Sequence, residues 1–178
     1  MNDFPKDRVK EAVLAAFAGT KPPAEGEIIS WECLLIDESL IEELDRLRIV
    51  PWERFPSILT TPRYFATAQC LRDMTPEAFA YFLPGFLLSA LETEDVSAWR
   101  IADGISDSFV PPSTSSDRGN KETTFTRRVE RLSTPQLDAV ILYFNYVDEQ
   151  SGYDGDQGLS AILQYLTRLR NSRPTEQK

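Results

Sequence analysis

The stretch T-P-E-A-F-A-Y-F-L-P-G-F-L-L-S-A-L, Thr75 to Leu91, decides the fold. Its first two residues read as a helix start, because a Thr hydroxyl accepts from the free first amides and Pro at the first helical position loses no hydrogen bond. Phe79, Phe82, Leu83, Phe86, Leu87, Ala90 and Leu91 then recur at helical spacing and make a broad apolar face. A face this wide places the helix at the centre of a domain. Pro84-Gly85 interrupts it. A proline inside a helix deletes one backbone bond and clashes with the carbonyl four residues back, at about 3 kcal/mol, so a kink or a break is expected there.

The same periodicity extends to both sides. Val9, Val13, Ala16 and Phe17 line a first helix, opened by Pro5 and closed at Gly19, and Lys21 to Gly26 is a Pro/Gly linker. Leu40, Ile41, Leu44 and Leu47 form the stripe of a second helix that ends at Pro51, with Ser39 and Glu42 at capping-box spacing. Thr61-Pro62 and Thr134-Pro135 repeat the Thr-Pro start. Trp99, Ala102, Ile105 and Phe109 mark another helix, and Val110 to Asn120 reads as a polar loop. Phe125, Val129 and Leu132 back a basic helix whose outer face is expected to carry Arg127, Arg128 and Arg131. Leu137, Val140, Ile141, Phe144 and Val147 follow, then Leu159, Ile162, Leu163, Leu166 and Leu169. Glu27 to Trp31 could extend briefly; no strand pattern stands out elsewhere. The expectation is an all-α, compact single-domain bundle of about seven or eight helices over residues 1–172, with 173–178 a frayed polar tail.

Composition narrows the chemistry. A chain of 178 residues with 42% hydrophobic and 26% charged residues is ordinary globular protein. No apolar run approaches the roughly 20 residues that cross a bilayer, and Met1 to Lys10 lacks a signal-peptide layout, so a cytoplasmic protein is expected. Cys33 and Cys70 read as reduced, buried thiols. There is no histidine, which removes Ser-His-Asp and Cys-His catalysis and any imidazole metal ligand. Two cysteines cannot close a four-ligand zinc site.

Charge is segregated. From Lys21 to Arg46 the chain holds eight acids and no intervening cation: Glu25, Glu27, Glu32, Asp37, Glu38, Glu42, Glu43 and Asp45. Five more lie between Arg72 and Arg100, and another five between Arg131 and Arg168. A net charge of −9 argues against direct nucleic-acid contact, which rests on Lys and Arg neutralising phosphates, and against anionic membranes.

The run Thr75 to Phe86, with Trp52 upstream and L-S-T-P-Q-L (Leu132 to Leu137) downstream, resembles an uncharacterised family of small bacterial helical proteins with an aromatic-rich T-P-E helix, an internal Leu-Pro and a later Thr-Pro start. The resemblance spans Trp52 to Leu166 and leaves the N-terminal third outside. It implies a helical fold and brings no catalytic residue, since each motif position is a cap, a kink or a core aromatic. More loosely, the chain resembles acidic immunity proteins that neutralise bacterial toxins.

No residue pattern selects an enzyme. Asp154-Gly155-Asp156, with Asp148 and Glu149 upstream, begins like a calcium loop, but Gly158 falls at the wrong spacing and Gln164 and Tyr165 stand where the Glu belongs. It reads as a solvated turn, and no metal or other cofactor is expected. Phosphate-loop, dinucleotide and nucleophile-elbow motifs are absent. The expected function is therefore a non-enzymatic antitoxin or immunity protein whose acidic surface covers a basic toxin, a nuclease by preference. Steering falls to Glu38, Glu42, Glu43 and Asp45, then to Asp148, Glu149, Asp154 and Asp156, with Trp52 and Tyr153 as exposed aromatic anchors. The alternative is a helical adaptor without a toxin partner. A homodimer is left open.

Overall fold

The computed structural model describes residues 5–30, 37–59, 67–93, 96–110, 118–151 and 157–173. The helices are α1 (Lys6–Phe17), α2 (Glu38–Arg48), α3 (Phe55–Ile58), α4 (Pro76–Glu92), α5 (Val96–Phe109), α6 (Arg118–Arg131), α7 (Thr134–Ser151) and α8 (Gln157–Ser172). Three-residue-per-turn segments at Trp52–Arg54 and Cys70–Asp73 precede α3 and α4. With a helical turn at 67–69, nine α-helical segments occur among the described residues, slightly more than the seven or eight expected.

Between Ala78 and Ser89, α4 has no solvent side: every residue there is buried, and Leu91 with them. Ser89 enters the core satisfied, because its hydroxyl donates to the Gly85 carbonyl at 2.7 Å. The Thr75 hydroxyl caps α4 by accepting from the Ala78 amide at 3.3 Å, as its sequence indicates, and donates to the Glu27 carbonyl at 2.7 Å. The brief extension near Glu27 is real but minimal. Ile29 and Met74 form one antiparallel bridge, with Ser30 N–H donating to the Asp73 carbonyl at 2.9 Å and Thr75 N–H to the Ile28 carbonyl at 2.9 Å. Pro84 lies inside α4 without breaking it, so the expected break is absent.

Gly85 has a packing role instead. A Cβ built there would lie 2.2 Å from Cδ2 of Phe55, so the missing side chain is the space in which the Phe55 ring sits. That ring also meets Phe82 and Phe86 at centroid distances of 5.9 and 6.0 Å. α1, α3, α5 and α6 pack round α4; α7 lies against α1, and α8 against α7. Phe109 at the end of α5 links the layers, edge-on to Phe79 at 5.6 Å and to Phe144 at 5.4 Å. The buried apolar side chains form one cluster to which every named α-helix contributes.

Two further expectations change. The helix start at Thr134 is capped one residue earlier, where Ser133 N–H donates to Gln136 Oε1 at 2.8 Å and Gln136 N–H to Ser133 Oγ at 3.4 Å. Arg173, which its sequence position places in the frayed tail, is anchored by hydrogen bonds to α6 carbonyls. The Thr61-Pro62 start and Cys33 lie outside the described residues, and α6 begins at Arg118, inside the stretch read as a loop.

Three substitutions check this packing. Gly85→Ala is expected to destabilise the fold by about 1–3 kcal/mol through overpacking against Phe55, and Phe55→Leu in the same chain to recover part of the loss; thermal unfolding measures both. Tyr143 is 1% exposed, and its hydroxyl has no hydrogen-bond partner among the described residues. Tyr143→Phe is therefore expected to be more stable by about 1 kcal/mol, since an unsatisfied buried hydroxyl is costly. A loss of stability would reveal a partner for it.

Candidate functional site

The sequence D-E-S-L-I-E-E-L-D-R-L-R, Asp37 to Arg48, builds the candidate surface. Asp37 caps α2 by accepting from Ser39 N–H at 2.8 Å, which corrects the expected Ser39–Glu42 capping box. The Ser39 amide and hydroxyl hold the Asp37 carboxyl below the ordinary carboxylate range. Arg46 and Arg48 occupy the last turn, where cations suit the helix dipole. Beyond it, the Tyr81 hydroxyl of α4 donates to the Val50 carbonyl at 2.7 Å and fixes the chain leaving α2.

Helical geometry sorts the acids. At 3.6 residues per turn, Glu38, Glu42, Asp45 and the following Ile49 fall within about 60° of one another, on the side away from buried Leu44 and Leu47. Ile49 is 75% exposed. Glu43 instead lies within about 40° of Leu47 by the same rotation, and it is only 3% exposed. Its expected place on the solvent face is therefore corrected.

The acids are also not bare. Arg46 lies 3.3 Å from Glu43 and 3.8 Å from Glu42, and Arg48 lies 3.5 Å from Asp45 and 3.9 Å from Glu25. The two arginines that end the cation-free run fold back along it. Such pairs at a surface contribute roughly 0–1 kcal/mol each and leave the net charge in place. Glu25 to Arg48 holds eight acids against these two arginines, so the segment stays anionic.

Other expected site residues divide. Asp148 and Glu149 are exposed near the end of α7, a separate element. Tyr153, Asp154 and Asp156 lie outside the described residues. Trp52 is 2% exposed: the turn that begins after Pro51 directs its ring into the core, so the expected exposed anchor is corrected. Arg128 is likewise buried, with its guanidinium 5.5 Å from the Phe79 ring centroid. Its spacing of three from Phe125 and four from Leu132 is the signal that places it on the apolar face. Arg127 is exposed, and Arg131 pairs with Glu77 at 3.6 Å. Among the described residues, no cluster of three metal-ligating side chains occurs and no helix is long and apolar enough to cross a membrane.

Residues 7–170 match the model of a family described as Family of unknown function (DUF6714). The chain belongs to this family. The match reaches further toward the N-terminus than the Trp52 to Leu166 span expected, and it takes in α1 and the acidic α2. No curated protein and no solved structure matches the chain.

Burial separates neighbouring acids in a measurable way. Glu43→Ala is expected to cost about 1–3 kcal/mol, because it removes a buried group with partners, whereas Glu42→Ala stays within about 0.5 kcal/mol; denaturant unfolding distinguishes them. Cys70 is buried, and burial first, then the nearby Asp73, pushes its thiol up to about 11. In a Cys33→Ser background it is expected to resist alkylation at pH 8. Because the folded thiol ionises later than the unfolded one, its contribution to stability is intact below the ordinary thiol range and is lost as pH rises toward 11.

Proposed function

We propose that the chain is a non-enzymatic protein-binding domain of the immunity type, which neutralises a cationic toxin by docking the exposed edge of α2. The observation that supports this reading is the stripe of Glu38, Glu42 and Asp45 running to an isoleucine that is 75% exposed. An apolar tip flanked by like charges suits a partner with a shallow socket rimmed by Lys or Arg. The acids raise the encounter rate and reject wrong partners, while the isoleucine supplies durable contact. A nuclease is the favoured toxin, since it must present cations to phosphates. A cytoplasmic location belongs to the same proposal.

A second reading, a helical adaptor or regulatory domain without a toxin, is favoured by Arg46 and Arg48. They pair with Glu42, Glu43 and Asp45 and lower the field that steering depends on. Self-association as a homodimer belongs with this alternative.

Co-purification with the product of an adjacent reading frame supplies the partner, and stopped-flow binding then separates the readings. Association is expected to slow roughly tenfold or more between low and high salt while dissociation barely moves. Glu38→Lys with Glu42→Lys slows association, and Ile49→Asp speeds dissociation. A salt-independent association rate contradicts acidic steering and leaves the adaptor.

A further inference from the structure

The last carbonyls of any helix lack donors within the helix and must find them elsewhere. α6 ends at Arg131, and α7 begins at Thr134, and the short junction supplies one weak donor, Leu132 N–H to the Val129 carbonyl at 3.3 Å. Arg173, far down the chain, fills the gap. Its guanidinium donates to the Glu130 carbonyl at 3.0 Å, to the Val129 carbonyl at 3.5 Å and to the Leu132 carbonyl. The planar fork of arginine, with five donors, suits such a cluster of carbonyls as lysine does not. One turn earlier, Arg170 Nε donates to Asp138 Oδ1 of α7 at 3.0 Å. The end of α8 thus grips both sides of the α6–α7 junction.

The rest of α8 is held on one side only. Leu159, Ile162 and Leu166 are buried, Leu163, Tyr165 and Leu169 are partly buried, and Ser160, Ala161, Gln164, Thr167 and Arg168 face solvent. Its ring contact with α6 is Tyr165 against Phe125, at 5.4 Å. Helices with a narrow buried stripe at the edge of a fold are the units that open below the global unfolding energy. We propose that α8 is a strap that opens as a unit, and that Arg170 and Arg173 are the fastening that sets how often it does so.

Hydrogen exchange on the full chain tests this with three proteins: the parent, Arg173→Lys, and the double variant Arg170→Ala/Arg173→Ala. In the double variant, amides of α8 and of the last turn of α6 are expected to exchange roughly tenfold faster or more, as loss of charge-assisted hydrogen bonds implies, while those of α4 stay as they are. Arg173→Lys keeps the charge and loses the fork, and falls between. Unchanged exchange in α8 would overturn the proposal. An equal acceleration in α4 would do so too, because it would mean that the fold loosens globally and the strap does not open by itself.

Discussion

Burial of α4 on every side is the constraint from which the other helices take their places. A helix that is apolar all round must be covered all round, and here α1, α3, α5 and α6 provide the cover. Close approach is possible because Gly85 leaves room for the Phe55 ring, and Phe55 in turn meets Phe82 and Phe86. Thr75 fixes where α4 begins and ties that start to the Glu27 carbonyl in the segment between α1 and α2. Further out, α7 packs on α1, and α8 packs on α7.

Charge acts on a different scale. Most ionic contacts are between partly exposed groups, such as Lys10 with Glu92 at 2.5 Å and Arg131 with Glu77 at 3.6 Å, and they add little to stability. Their effect on function is to shape the exterior. On α2, Arg46 and Arg48 reduce the local field without reversing it, so an acidic edge remains beside exposed Ile49. An interface built there would depend more on the apolar contact than an unpaired acidic face would require.

Much of the fold is legible in the sequence, and the misses share a physical origin. The Thr75-Pro76 start, the apolar period of α4 and the end of α1 near Gly19 depend on local geometry, which one sequence carries. Asp37 displaces Ser39 as a cap because two nearby polar residues compete for the same free amides, and spacing alone does not choose between them. Charge alone puts Glu43 and Arg128 outside, yet their helical angles put them beside Leu47 and among Phe125, Val129 and Leu132. Pro51 suggests an exposed neighbour, although the turn there points the Trp52 ring inward. The fastening by Arg173 joins residues far apart in the chain and leaves no local trace. The candidate site is legible in part: Glu38, Glu42 and Asp45 share a face, while Ile49 carries no signal because it lies past the end of the apolar stripe at Leu47.

Native-state hydrogen exchange across a denaturant series tests the central place of α4 most directly. With α4 at the centre, amides between Phe79 and Leu91 are the slowest in the chain and exchange only with global unfolding. Amides of α1 or α7 that outlast those of α4 would contradict it.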